Sequence, residues 1–111
     1  RAGLRDRELD RAALDHARRH GLEYRDLIAD PPGRGEGIWR VREVKELFAG
    51  RTALLGRGHE IAAVVVKRTL ELNIGDDVGV KLLQRGQTRT LGLVVGKELD
   101  LARSVTLGLG R

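Results

Sequence analysis

The sequence predicts an α+β fold, with an N-terminal helix or helix pair packed on a small, strongly coiled antiparallel β-sheet or barrel of the SH3-like or OB-like kind. Apolar residues recur at helical spacing early in the chain, and after Gly50 they alternate at strand spacing among glycines that permit sharp coiling. The length of 111 residues suits one domain, divided into a helical part (4–30), a Pro/Gly loop (31–37) and a mainly β part (38–109).

The segment from Leu4 to His20 has the pattern of an amphipathic helix, because its apolar residues are three or four apart and charged residues fill the other positions. Gly21 follows as a C-terminal stop, and the basic residues before it suit the negative end of the helix dipole. The apolar anchors within residues 22–28 predict a short second helical turn.

The segment 30–37 contains two prolines and three glycines, which predicts an exposed loop. After it the pattern is ambiguous. Residues 38–44 can form a strand, whereas the apolar residues from Val41 to Phe48 lie on one helical face. We favour a helix over Val41 to Ala49.

Beyond Gly50 the chain takes the two-residue period of strands, with β-branched residues and flanking turn residues. Four strands and an optional fifth at the C-terminus are predicted: Thr52 to Leu55, Glu60 to Val66, Val78 to Leu83, Thr88 to Val95, and Ser104 to Leu109.

Two hairpins are predicted, each with an Arg-Gly step at its tip. A turn at residues 85–86 puts the aliphatic side chains of both strands on one face, and a turn at 57–58 places Leu54 opposite Ile61. Because Arg-Gly is a weaker two-residue turn than Asn-Gly, a loop of three to five residues is an alternative at each tip. The hairpin with its turn at 85–86 is predicted to pair Gln84 with Gln87, Leu82 with Arg89, Val80 with Leu91, and Val78 with Leu93.

Lysine and arginine total 21 against 16 acidic residues, a net charge of +5. This balance favours anionic partners through counterion release, and nucleic acid is the commonest of them. A basic surface also keeps a protein in solution, so charge alone leaves both interpretations open.

Three Arg-Gly steps fall at predicted loop tips, at residues 34–35, 57–58 and 85–86. Glycine lets a backbone approach a partner closely, and arginine offers a planar fork to a phosphate or a base edge. The alternative is that arginine only solvates these turns. We expect nucleic acid, DNA rather than RNA, to contact eight basic residues: Arg34, Arg51, Arg57, Lys67, Arg68, Lys81, Arg85 and Arg89.

Aromatic residues are scarce, since the chain has only Tyr24, Trp39 and Phe48. This argues against a single-strand platform built on stacked rings, and phosphate contact and shape are expected to dominate. Trp39, which follows the Pro/Gly loop, is either a core anchor or a partner contact, and the core is favoured.

His16 and His20 stand four residues apart on the predicted helix, so their rings share a face and can chelate a metal ion if a third ligand such as His59 or Glu23 joins them. The residues between them lack the acid of a His-Glu-x-x-His motif. We therefore expect two solvated histidines at a helix end, with no metal.

No catalytic centre is indicated, and we expect neither enzyme activity nor a cofactor. Asp76 and Asp77 precede a strand, where neighbouring side chains point to opposite sides, so turn capping is favoured over a shared Mg²⁺. The alternate glycines of residues 33–37 resemble a phosphate loop but lack a preceding strand and a Gly-Lys-Ser/Thr step. Ser104, the only serine, has no evident triad partners, and the chain contains no cysteine.

The stretches "RHGLEYRDLI", "FAGRTALLGRGHEIAAVVV" and "TLGLGR" resemble the C-terminal region of VirD2-type conjugative relaxases, where a "GRFA"-like strand precedes a short barrel and a Gly/Arg-rich end. The chain departs from that region by placing Val64 to Val66 where a tryptophan-containing strand is expected. The family's catalytic tyrosine and metal-binding histidines belong to a nuclease domain without a counterpart here. The resemblance implies a non-catalytic accessory module that assists DNA handling or contacts secretion machinery.

The competing interpretation is a protein-interaction or assembly module, in which Val64 to Val66 or an open strand edge pairs with another chain. The chain begins with Arg1 and contains no methionine, so we expect a piece of a longer protein. Without cysteines or a run of about 18 apolar residues, a cytoplasmic location and no membrane contact are expected.

Overall fold

In the computed structural model, residues 4–29, 31, 33–47, 50–96 and 98–106 are described. One helix packs on a seven-stranded sheet whose order is β1-β4-β3-β2-β5-β6-β7. Neighbouring strands are antiparallel except β1 and β4, which are parallel. The elements are α1 Leu4–His20, β1 Glu23–Tyr24, β2 Gly37–Leu47, β3 Gly50–Arg57, β4 Glu60–Val65, β5 Asp77–Arg85, β6 Thr88–Val95 and β7 Glu98–Thr106.

The sheet curls into a half-barrel, and β4 and β7 approach each other although they are not neighbours in the sheet. The concave face holds the main core, while α1 covers the opposite face over β3 and β4, where Ala17 packs on Leu54 and Ile61. The predicted α+β class, with a helix on a small coiled sheet, is therefore confirmed. The buried side chains of the concave face include Trp39, Val41, Leu55, Val64, Val78, Val80, Leu91 and Leu93.

The helix predicted over Val41 to Ala49 is wrong, because residues 37–47 form the strand β2. Val41 pairs with Leu55, but the next pair joins Glu43 to Leu54, so Arg42 is an extra residue in a β-bulge. The bulge leaves the inward-facing Val41 and Val44 three residues apart, which imitates the spacing of a helical face. The end of the predicted helix, at Phe48 and Ala49, lies outside the described residues.

The second helical turn predicted within residues 22–28 is also wrong. Here Glu23 and Tyr24 form β1, which pairs with the start of β4, and residues 27–29 form a turn. The carboxylate of Asp26 accepts the backbone N–H groups of residues 28 and 29 at 3.1 and 3.2 Å. This local bond competes with the helical hydrogen-bond ladder.

Both hairpins have two-residue turns, and their registers differ from the predicted ones by two residues: Arg57 pairs with Glu60, and Arg85 pairs with Thr88. Gly58 and Gly86 occupy the first turn position with φ of 57° and 60°, a conformation that glycine adopts at little cost. Each arginine therefore ends a strand instead of entering the turn. A shift of two residues keeps every side chain on its predicted face.

The predicted C-terminal strand begins earlier than expected, since β7 spans Glu98–Thr106. Residues 107–109, with which the predicted strand ended, lie outside the described ranges.

Candidate functional site

The eight basic residues predicted to share a surface lie at different ends of the sheet. Arg57 lies at the β3–β4 turn beside Arg34, whose carbonyl accepts Arg57 Nη2 at 2.7 Å. Arg51 is the second residue of β3 and lies at the opposite end of that strand, where Lys67 and Arg68 follow the end of β4.

The third Arg-Gly tip lies apart from the first two. Gly56 pairs with Arg40, and Arg40 pairs with Asp77, so these three residues are level across the sheet. Arg85 is eight residues beyond Asp77 on β5, roughly 25 Å along the strand at ~3.3 Å per residue. The remaining two predicted residues, Lys81 and Arg89, lie on β5 and β6.

Three of the six arginines among these eight residues tie loops to the sheet. Arg51 Nη1 donates to the carbonyls of Arg68 and Leu70 at 3.1 and 2.7 Å. Arg89 Nη1 donates to the carbonyl of Ile28 at 3.1 Å. Because these nitrogens hold backbone oxygens, they are poorly placed to bind an external phosphate.

Arg57 is the third of these arginines, and its guanidinium covers the Trp39 ring at one end of the core. Its guanidinium lies 4.4 Å from the centroid of the Trp39 ring, and Nη1 donates to the carbonyl of Glu36 at 2.8 Å. Its Nε and Nη2 also donate to Glu60 Oε1 at 3.2 and 3.0 Å. This cation–π contact and the hydrogen bonds join β3 to the loop before β2.

Trp39 is a core residue, as predicted, with none of its surface exposed. Its Nε1–H donates to the carbonyl of Gly35 at 2.7 Å. Gly35 is itself buried, and a Cβ on it would lie 2.7 Å from Leu27 Cδ2. Residues 33–36 therefore form a loop that is exposed at Gly33 and Arg34, as predicted, and packed against the core at Gly35.

A groove of about 730 Å³ lies beside the C-terminal end of α1, and we call it the α1–β2 groove. It is bounded by β2, the end of β3 and the turn 73–76. Its basic side chains are His16, His20, Arg40, Arg42 and Arg57, and its acidic side chains are Glu43 and Asp77. Of these basic residues, only Arg57 is among those predicted from the sequence to contact nucleic acid.

Arg42 is held in one position at the wall of the α1–β2 groove. Its Nε donates to Nε2 of His16 at 3.1 Å, and a Cβ on Gly56 would lie 2.5 Å from Arg42 Cδ. The aliphatic part of the arginine therefore lies directly on bare backbone, an approach that glycine permits. Among the described residues, no partner is found for the terminal Nη nitrogens of Arg42.

Arg40 provides a second cation at the same groove. Its side chain is 69% exposed, and its Nε lies 3.5 Å from Asp77 Oδ1. An exposed pair of this length is weak, so Arg40 can exchange it for another anion at little cost.

His16 is buried, with only 5% of its surface exposed, so the prediction of two solvated histidines is wrong for this residue. Helical spacing places His16 and His20 on one face, with ring centroids 4.3 Å apart, but His16 is the one that reaches the sheet. Burial first, and then the positive charges of His20 and Arg42, lower the pKa of His16. Arg19 acts in the same direction, and Glu43 opposes them.

The neutral imidazole of His16 has a defined tautomer. Since Nε2 accepts a hydrogen bond from Arg42, the proton resides on Nδ1, which lies 3.9 Å from Glu43 Oε1. A metal ion bound through Nε2 would have to displace Arg42. Within the part of the chain that the structure describes, no group of three possible metal ligands is found.

We expect the burial of His16 to make stability depend on pH between about 6.5 and its lower folded pKa. The unfolded chain takes up this proton first, so the free energy of unfolding falls as pH decreases through that window and levels off below it. Urea denaturation at several pH values checks this. His16→Gln should remove that portion of the dependence and His20→Gln should keep it, whereas equal curves for His16→Gln and the parent would contradict the expectation.

The turn 73–76 is a rigid support at the rim of the α1–β2 groove. Asp76 N–H donates to the carbonyl of Asn73 at 3.0 Å, and Asp76 Oδ2 accepts Asn73 N–H at 2.9 Å. Gly75 N–H donates to the carbonyl of Val41, and Val41 N–H donates to that of Asp76. The predicted capping role of Asp76 is confirmed, while Asp77 points instead to Arg40.

Comparison with models of protein families, with curated proteins and with solved structures gives no match for this chain. None of the helical segments within the described residues has the length and apolar character needed to cross a membrane.

Proposed function

We propose that this chain is a non-catalytic accessory domain that binds nucleic acid through the α1–β2 groove. The observation that carries the proposal is the fixed guanidinium of Arg42, whose Nε is held by His16 and whose stem rests on Gly56. A guanidinium positioned in advance loses little conformational freedom when it binds a phosphate. Arg40 and the net charge of +5 add to the attraction for a polyanion.

This proposal moves the main phosphate contacts from the arginines of the Arg-Gly tips to Arg40 and Arg42, although the 57–58 tip lines the same groove. Arg51, Arg57 and Arg89 serve internal contacts, whereas Arg40 and Arg42 are exposed and lie next to each other across the β-bulge. Arg34, Lys67, Arg68, Lys81 and Arg85 are exposed at other places and contribute to the general positive potential. Binding is expected to be micromolar or weaker, and to weaken steeply with salt, because phosphate contacts dominate it.

The biological setting is a further part of the proposal. The resemblance to conjugative relaxases supports DNA over RNA, and a role in DNA handling or in contact with secretion machinery as part of a larger mobilisation protein. A chain without cysteine suits the reducing conditions of a cytoplasm.

The test compares two double variants that each remove two positive charges. Arg40→Gln with Arg42→Gln is expected to weaken oligonucleotide binding about tenfold and to reduce the salt slope by about two, since two phosphate contacts are lost. Lys67→Gln with Arg68→Gln, at the other end of β3, should change affinity much less. Fluorescence anisotropy of a labelled oligonucleotide at several salt concentrations measures both, and circular dichroism verifies folding.

A third variant separates position from charge. Gly56→Ala keeps every charge but forces the stem of Arg42 to move, so it should also weaken binding. Equal losses from both double variants would assign binding to overall charge and not to the groove. No binding by the parent chain at low salt, to either single or double strands, would exclude the proposed function.

The alternative is an assembly module that pairs with another chain without binding nucleic acid. Val64 and Val66, which the sequence suggested for this role, are only 3% and 4% exposed, so their side chains serve the core. The alternative then needs an open strand edge for another chain to pair with. The outer edge of β4 is the candidate, since β1 pairs with only Glu60 and Ile61 of that strand. Size-exclusion chromatography at several concentrations, with and without oligonucleotide, distinguishes a dimer that ignores DNA from a monomer that binds it.

A further inference from the structure

The two most exposed large apolar side chains in the described part of the structure both line the α1–β2 groove. Ile38 is 62% exposed and Ile74 is 69% exposed. The other two exposed large apolar residues, Leu14 at 41% and Leu83 at 44%, do not line it. Two exposed isoleucines therefore share one groove with the guanidinium groups of Arg40 and Arg42.

Both isoleucines are presented by rigid backbone. Ile74 lies in the turn 73–76, which hydrogen bonds fasten to itself and to Val41. Ile38 lies on β2 opposite Gly79, and its Cδ1 would be 3.8 Å from a Cβ placed on that glycine. Arg40 is two residues further along β2 and so points to the same side as Ile38. The groove thus offers apolar and cationic contacts side by side.

This combination fits a ligand that presents negative charge and apolar faces together. A duplex turns its phosphates outward and buries its base faces in the stack, whereas a single strand exposes both. Resting on the proposed function, we propose that the α1–β2 groove binds single-stranded nucleic acid, with phosphates on Arg40 and Arg42 and with base or sugar faces against Ile38 and Ile74.

The scarcity of aromatic residues argues against a single-strand site built on stacked rings, but not against one built on aliphatic side chains. Trp39 is buried, so it offers no ring for stacking, but aliphatic side chains can also cover apolar surface. Their contact has no stacking geometry to satisfy, and it is expected to tolerate any base sequence.

The experiment uses three fluorescent probes with the same number of phosphates per strand: a thymidine oligonucleotide, its duplex with the complementary strand, and a strand of abasic sites. We expect the thymidine strand to bind about tenfold more tightly than the abasic strand, because only the former covers the isoleucines. Ile38→Ser with Ile74→Ser should lower thymidine-strand affinity to the abasic level and leave the salt slope unchanged. Leu14→Ser with Leu83→Ser is the matched control and should bind like the parent chain.

The outcomes separate this inference from the function on which it rests. Equal affinity for the thymidine and abasic strands, or tighter binding of the duplex, overturns the inference while the groove remains a nucleic-acid site. Failure of all three probes to bind at low salt overturns both. Binding of an acidic, leucine-containing peptide in the absence of any oligonucleotide binding would assign the groove to a protein partner instead.

Discussion

Replacing Trp39 with alanine is expected to lower the free energy of unfolding by about 3–5 kcal/mol, enough to unfold much of a domain of ordinary stability. The side chain is fully buried in the main core, and Arg57 lies over its ring. The substitution removes apolar contacts, leaves a cavity, and exposes one face of the Arg57 guanidinium. Urea denaturation followed by far-ultraviolet circular dichroism measures the loss.

Two controls define what the Trp39 result means. Trp39→Phe keeps most of the ring but deletes the hydrogen bond to the Gly35 carbonyl, so a smaller loss of about 1–2 kcal/mol is expected. Ile38→Ala, at the neighbouring exposed position, should change stability by less than about 0.5 kcal/mol. A loss below about 1 kcal/mol for Trp39→Ala would contradict the packing of this side chain in the core.

Glu60→Gln is expected to lower the free energy of unfolding by about 2 kcal/mol, the range for hydrogen bonds made by charged groups. The carboxylate accepts Arg25 Nε at 2.7 Å and two nitrogens of Arg57 at 3.2 and 3.0 Å, and its side chain is 21% exposed. An amide cannot accept from both guanidinium groups through two oxygens. The substitution therefore leaves two neighbouring cations with poor partners.

The same residue should limit stability in acid. The hydrogen bond from Arg25 is the main cause of the lowered pKa of Glu60, and Arg57 adds to it while burial opposes it. Its contribution is complete above the usual pKa of about 4.5 and is lost as pH falls through the folded value below that. Going down in pH, this window opens at about 4.5 and that of His16 at about 6.5, so the Glu60→Gln and His16→Gln variants separate the two contributions in a single pH series.

The control for Glu60 is Glu46, which forms an exposed ion pair with Arg68 at 3.2 Å. Glu46→Gln should cost less than about 1 kcal/mol, because exposed pairs contribute little. Glu60→Gln should also flatten the loss of stability below pH 4.5. If both variants had the same small effect, the bridge between Arg25, directly after β1, and the β3–β4 hairpin would not be a stabilising contact.

The fold class and the hairpin faces follow from local pattern, because strand alternation and turn glycines act over a few residues. The β-bulge does not, since one extra residue at Arg42 turns a strand period into a spacing of three at Val41 and Val44. The alternation of Trp39 and Val41 with Arg40 and Arg42 was nevertheless a signal for the strand.

The site was harder to predict than the fold, because a sequence does not show what satisfies each guanidinium. Arg57 and Arg42 each lie in a strand near a glycine, but their partners differ. Arg57 donates hydrogen bonds to Glu60 and to loop carbonyls, whereas Arg42 Nε donates to a histidine of α1. The Arg57–Glu60 contact is local, but the contacts of Arg57 with the loop carbonyls and of Arg42 with His16 join residues 21 to 26 positions apart, beyond the range of any local pattern. Gly56, within an apolar strand, was the one local indication of a close approach.

The position of the lone indole also gives the molecule an optical reporter. Trp39 borders the α1–β2 groove from the core side, and the guanidinium of Arg57 lies over its ring. Its emission should lie toward the blue in the native protein and shift to the red on denaturation. A nucleic-acid strand that binds beside Arg57 should change the quenching of that emission. Binding to the groove can then be followed without attaching a dye.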